Sequence, residues 1–335
     1  MAPPTDARRA RYDRVMAEAD GLLRKGDFDG AVKHYAAAAE LARDGGAVPE
    51  MATALHRAAI GRDRSGQLEE ALWFARQALQ ADESFFGPAH PAVARDLHSL
   101  GVVLARGGKP GEAVAPLRRS ADISARFESA RERLTTLLAL GQALHRSDAP
   151  KEAAAVFSEA AELATASDGA QSPHAVRAML SMAAAQAAAG ELAHAHATWA
   201  ELTRRLAGNG VPPPAIATSL ARAWQGLGTL ALRGRGDRVD AGWMYAFAMA
   251  LTPPGHPVHD AAAAAAAECG PAPTVPRQPD TYVVVAAPEG SSAVDVARPT
   301  GGRFTLARSA VPADVAVGRA LRLRFGAGGT LEVLG

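Results

Sequence analysis

The side chains able to do chemistry are few and scattered. His256 and His259 stand three residues apart, on one helix face, with Asp260 beside them and Cys269 further on. A metal site there would need Cys269 as a third ligand; the simpler reading is a solvated helix start. His194 and His196 are two apart and point to different sides of a helix. The run GGKPGE (107–112) lacks the residue order of a phosphate-binding loop, and Pro110 removes a backbone donor. No Gly-x-Ser-x-Gly nucleophile elbow occurs. His90 and His256 each precede a proline, a place suited to capping local backbone. Cys269 is the single cysteine, which excludes an internal disulfide framework or a cysteine-based zinc cage. Its charged neighbour, Glu268, would raise the thiol pKa and so disfavours a redox role. The chain is therefore expected to have no catalytic residues, no cofactor and no metal, and not to be an enzyme.

What does recur is a turn. GDFDGA (26–31), GQLEEA (66–71), GKPGEA (108–113), GELAHA (190–195) and GDRVDA (236–241) share one pattern, with DAPKEA (148–153) as a degenerate copy. Each closes on an alanine: Ala31, Ala71, Ala113, Ala153, Ala195 and Ala241. Four residues later stand Tyr35, Ala75, Leu117, Phe157, Trp199 and Tyr245, expected in the core. Prolines at 49, 91, 173, 214 and 257 mark helix starts about forty residues apart, one gap being double. In the best-formed copy, Leu97, Leu100, Gly101 and Leu104 share a helix face. Gly107 and Gly108 then break the helix, and a second one opens near Pro110. The small residues Gly101 and Ala113 let the two backbones approach closely. One such hairpin cannot bury its apolar face alone, so stacked copies are required.

These motifs resemble the tetratricopeptide repeat. The sixth unit carries Trp224-x-x-Leu227-Gly228, Ala241-x-x-x-Tyr245 and Pro253; the third has Leu97-x-x-Leu100-Gly101 and the fourth Leu137-x-x-Leu140-Gly141. The long period and the lead-in from Gly87 to Pro91 are similar to the kinesin-light-chain-like subgroup. The resemblance covers roughly residues 11–268. It implies a mainly α fold, an α-solenoid in which antiparallel helix hairpins form a right-handed superhelix. One departure is chemical: the subgroup presents asparagines to peptide backbone, whereas this chain has a single asparagine, Asn209.

The resemblance also implies that first helices line a concave groove. In register, Arg24, Arg64, Arg106, Arg146 and Arg233 fall at equivalent places near first-helix ends, and His56 matches His98. Arg95, Gln142, His145, Arg177, Arg222 and Gln225 are expected on the same wall. Counterpart acids there number few, Asp20 and Asp63. Arginine forks bind carboxylates bidentately, so this wall is expected to bind a protein or peptide segment of acidic character. The competing explanation is that cations favour a helix C-terminus, by about 0.3–1 kcal/mol.

The hairpins are expected at 11–25/28–43, 49–64/67–82, 91–106/110–126, 128–146/150–167, 173–188/191–207 and 213–233/237–251. A flexible tail over 1–10 precedes them, and an alanine-rich capping helix near 257–268 closes the solenoid. CGPAPTVPRQPD (269–280) reads as a proline-rich linker. Over 281–335, short β-branched or alternating runs separated by glycine turns predict a small C-terminal all-β, barrel-like domain, a five-stranded barrel or sheet. Residues 308–325 faintly resemble a small barrel domain found in bacterial proteins, which brings no activity. Arg303, Arg308, Arg319, Arg322 and Arg324 give the alternative reading, a regulatory or nucleic-acid-associated module. The lack of aromatics for base stacking opposes it. The 335 residues carry a net charge of +1 and only 5% aromatics, so nothing global demands a nucleic acid or an anionic membrane. The charged start lacks an apolar segment of the kind a secretion signal needs, and Ala261–Ala267 is too short to span a bilayer; a cytoplasmic location is expected.

Overall fold

The turn repeated along the sequence has one backbone signature. In the computed structural model, Gly26, Gly66, Gly108, Gly190 and Gly236 adopt φ between 68° and 82°, a region open to glycine at no steric cost. Asp148 holds the same place in the degenerate copy at φ 61°, the one non-glycine at positive φ among the described residues. Aspartate tolerates this conformation better than most side chains. The structure describes residues 5–127, 129–206, 214–234, 236, 238–250, 252–269, 280–286, 293–297, 303–307, 311, 320–325 and 331–333.

Around these turns the helices are α1 (Thr5–Lys25), α2 (Phe28–Asp44), α3 (Val48–Arg64), α4 (Leu68–Phe86), α5 (Pro91–Arg106), α6 (Pro110–Arg126), α7 (Ala130–Arg146), α8 (Pro150–Asp168), α9 (Pro173–Ala188), α10 (Leu192–Leu206), α11 (Pro214–Thr229), α12 (Arg238–Ala250) and α13 (Pro257–Ala267). A π-helical turn, Leu230–Gly234, extends α11. Proline begins α5, α6, α8, α9, α11 and α13, where its missing N–H costs nothing. His90 and His256 cap the helices that follow them: their ring Nδ1 atoms accept from Ala92 N–H and Val258 N–H, each at 3.2 Å. The capping expected of both histidines is thus observed.

The chain divides into two units, Met1–Val156 and Phe157–Gly335. In the first, each helix from α1 to α7 packs on the next, and α3 also meets α5, which meets α7. Helices α3, α5 and α7 therefore form one wall. Much of the core is alanine, with Tyr35 and Leu117 the bulkiest fully buried side chains of this unit. A Cβ on Gly101 would run into Leu117, so α5 and α6 approach where the sequence places its small residue. The tail expected over 1–10 is corrected, because α1 begins at Thr5. Its first turns are tied down: Arg8 donates to Asp44 O at 3.2 Å, Arg9 pairs with Glu50, and Tyr12 donates to Glu50 O at 2.9 Å.

In the second unit α9 packs on α10, α10 on α11, α11 on α12 and α12 on α13; α11 also meets α9 and α13. The repeat seam recurs: a Cβ on Gly228 would lie 2.8 Å from Tyr245, and Trp199 lies over Gly226. Tyr35, Phe157, Trp199 and Tyr245 are all buried, as their register predicted.

The barrel expectation is corrected. The protein is a helical-repeat fold, and the described C-terminal segments form no barrel. Strands β1 (Asp280–Ala286), β2 (Ala293–Ala297), β3 (Arg303–Ala307), β4 (Ala320–Phe325) and β5 (Leu331–Val333) pair antiparallel in the order β3-β2-β1-β4-β5. The sheet is open, with β3 and β5 at its edges. Strands of three to seven residues give little length for the tilt and stagger that closure demands. The linker and the side chains of Arg303, Arg308, Arg319, Arg322 and Arg324 lie outside the described residues, as does Asn209.

Candidate functional site

The wall of α3, α5 and α7 carries a cleft of 610 Å³. Helix α5 meets α3 on one side and α7 on the other, and the small residues Ala59 and Ala94 line the cleft. His56, Arg95 and His98 line it together with Ser99, Ser120 and Thr136. Apolar lining comes from Ile60, Val102 and Val103, and Phe127 stands at the end of α6 with half its surface exposed. Acidic lining comes from Asp63 and Glu132.

Beside the cleft lies a buried charge cluster. Asp82 on α4 and Asp96 on α5 are 1% and 0% exposed. Arg95 Nη2 reaches Asp82 Oδ2 at 3.1 Å, and its Nε reaches Asp96 Oδ1 at 3.3 Å. His56 Nδ1 lies 2.9 Å from the same Asp96 oxygen. Burial, then the neighbouring Asp96 carboxylate, pushes the Asp82 pKa up to about 7 against the attraction of Arg95. Two carboxyl groups at one dry site resist ionising together. Asp82 Oδ1 and Asp96 Oδ2 are left buried without a hydrogen-bond partner.

A second buried chain fixes His98. Ser120 Oγ donates to Ala94 O at 2.7 Å. Thr136 Oγ1 lies 3.0 Å from His98 Nδ1 and 3.5 Å from Ser120 Oγ. The shorter contact favours Thr136 donating to Nδ1, which leaves the His98 proton on Nε2. Burial, then the charge of His56, lowers the His98 pKa, so the ring is held neutral.

The structure brings His56, Arg95 and His98 to one cleft, and it gives partners to Arg95, Arg106, Arg146 and Arg233 among the arginines expected on this wall. Arg106 pairs with Asp63. Arg146 donates to Ala105 O at 2.9 Å, capping a helix-end carbonyl. Arg233 grips Glu268 with both distances at 3.0 Å. Arg24, Arg64, Gln142 and His145 are exposed on α1, α3 and α7; in the second unit Arg177 and Arg222 are exposed on α9 and α11 and Gln225 is half-buried. Asp20, one of the two acids anticipated, is bound by Tyr35 and Arg57.

Sequence reasoning missed Asp82, Asp96, Thr136, Ser120, Phe127 and Glu132. One signal was available: Asp96 follows Arg95 on the otherwise apolar face of Val93, Leu97 and Leu100, and an acid at a core position implies a buried partner. Asp82 stands in the last turns of α4 beside Glu83 and Ser84, with no such signal. The two histidines weighed as metal ligands both engage the backbone. His259 Nδ1 donates to Met249 O and Thr252 O at 3.1 and 2.8 Å, and His256 is bound to Val258. Cys269 Sγ faces Ala265 O at 3.6 Å, its pKa raised by burial and then by Glu268.

Residues 50–126, spanning α3 to α6, match the family model described as Tetratricopeptide repeat. No curated protein matches the chain. Among solved structures, a putative kinesin light chain with nearly identical TPR-like repeats from Podosopora anserina is 18% identical, with a TM-score of 0.51, over 57% of this chain and 92% of that one. The apo form of RapI is 11% identical with a TM-score of 0.51, over 77% and 97%. Pseudomonas aeruginosa pilF is 20% identical with a TM-score of 0.51, over 77% and 99%. Residues 50–126 thus carry the tetratricopeptide repeat, and the helical-repeat fold is similar to that of these solved structures. Among the described residues, no helix is long and apolar enough to cross a membrane.

Proposed function

We propose that the protein is a non-catalytic interaction scaffold that binds a peptide or protein segment on the face lined by α3, α5 and α7. The observation that carries this reading is the cleft itself. It is 610 Å³ in size, opens beside repeat helices, and is walled by His56, Arg95 and His98. Binding rather than turnover suits the chemistry. Asp96 is occupied by His56 and Arg95, and His98 by Thr136, so the groups that could transfer protons already serve one another. In this reading Arg24, Arg64, Arg106, Gln142, His145 and Arg146 extend the contact surface of the first unit. Arg177, Arg222, Gln225 and Arg233 hold the corresponding places in the second.

The test is affinity capture by the full chain, comparing wild type with Ser99→Trp, which fills the cleft, and with Arg64→Glu/Arg106→Glu/Arg146→Glu. A partner retained by wild type and lost with Ser99→Trp, with circular dichroism unchanged, supports the reading. Retention of every partner by Ser99→Trp would place binding elsewhere. Loss with the triple reversal as well would show that the arginines contribute.

A further inference from the structure

The charges around the cleft run opposite to the basic wall that the arginine register suggested. The geometry points to a basic side chain, Lys or Arg, as the group that the cleft selects from the bound segment; this rests on the scaffold reading above. Of the lining residues, Asp63 and Glu132 are acidic and Arg95 is the one with a permanent positive charge. Arg95 is held by Asp82 and Asp96, and Arg106 beyond it by Asp63. Four carboxyl groups thus face two guanidinium groups, and three carboxylates remain when Asp82 holds its proton.

Three further observations agree. First, the excess is poorly screened. Asp63 Oδ1, Asp82 Oδ1 and Asp96 Oδ2 are buried without a hydrogen-bond partner, so solvent and salt damp their charge less than that of a surface acid. Second, Glu132 is exposed at the first turn of α7 and can meet a ligand cation directly. Third, Phe127 is 50% exposed at the cleft. An aromatic face beside a carboxylate suits a guanidinium or ammonium group, which the ring quadrupole attracts. The hydroxyls of Ser99, Ser124 and Thr135 add acceptors for its N–H groups. The apolar stem of Lys or Arg would lie along Ile60, Val102 and Val103.

The test is selection of binders from a random peptide library displayed on phage, using the full chain. Selected peptides are then measured against wild type, Glu132→Gln, Phe127→Ala and Ser99→Trp. Neither Glu132→Gln nor Phe127→Ala removes a buried group, so both variants should fold. The expected result is enrichment of Lys- or Arg-bearing peptides whose replacement by Gln at that residue abolishes binding. Their affinity should fall about tenfold in Glu132→Gln, one charge-assisted contact's worth, and vanish in Ser99→Trp. Acidic or neutral binders that compete at the cleft and ignore Glu132→Gln would overturn this inference while leaving the scaffold reading intact. Binders that all survive Ser99→Trp would overturn both.

Discussion

Helix α5 has two unlike sides. Toward α6 it is apolar and small: Gly101 receives Leu117, and the fit is one that recurs at Gly228 and Tyr245. Toward α3 and α4 it carries Asp96 and Arg95 into a buried network with Asp82 and His56. The first side is what a hairpin needs in order to stack. The second contributes little to stacking, since buried ion pairs cost desolvation that packed apolar groups would not. A network that stacking does not require, set beside the cleft, belongs to what distinguishes this chain from a generic repeat.

The charged side should be the more fragile. Arg95→Leu strips the one guanidinium from two buried carboxyl groups and is expected to cost about 3 kcal/mol at pH 8, measured by urea denaturation. The loss should shrink at pH 5, where Asp82 is protonated and needs no counter-charge. An equal loss at both values would break the comparison, because it would mean that Arg95 matters for packing alone.

Gly101→Leu attacks the apolar side. It forces a side chain into the space of Leu117 and is expected to cost about 2 kcal/mol, the scale of core overpacking. In contrast to Arg95→Leu, the denaturation midpoint should move by the same amount at pH 5 and pH 8.

The pH profile of wild type sharpens the contrast. Asp82 holds its proton up to about pH 7 in the folded chain, whereas its ordinary value is 3.8. The folded state therefore binds the extra proton between those values, and this contribution to stability falls as pH rises through them. His98 acts oppositely. Its folded pKa lies below 6.5, so the unfolded chain takes the proton first and stability falls as pH drops below 6.5. Asp82→Asn should remove the first limb and keep the second, as read by thermal unfolding across pH 4 to 8 (roughly the window these shifts define). A variant with an unchanged profile would show that Asp82 ionises normally.

The smallest effect tests the turns that both sides share. Asp148 is the non-glycine in the left-handed turn position, so Asp148→Gly should stabilise the chain by about 0.5 kcal/mol, the strain relieved being partly offset by lost chain stiffness.

These two sides also differ in how far they could be read in advance. Turn spacing, the closing alanines and the aromatic positions announced the repeat because each is a local pattern with a period. Gly101 and Leu117 sit within one hairpin, so their contact was legible. His56, Asp82 and Asp96 come from three helices, and only folding brings them together; from the chain, His56 read as the register equivalent of His98 and the wall read as basic. The arginines have local partners for a physical reason. A cation near a helix C-terminus is favoured by the dipole; there Arg106 also pairs with Asp63, and Arg146 donates to the Ala105 carbonyl. At the C-terminus, β-branched runs suggested a closed barrel, but whether edges meet depends on strand length and stagger, which alternation does not encode.

The most direct test of the binding face is site-specific photocrosslinking in cell extract. p-Benzoylphenylalanine would be placed at Phe127, at the cleft, and at Trp73, exposed on α4. The account predicts that a protein partner crosslinks from position 127, not from 73, and that Ser99→Trp abolishes the product. Crosslinking from position 73 alone, unaffected by Ser99→Trp, would contradict it and assign recognition to the α4 side.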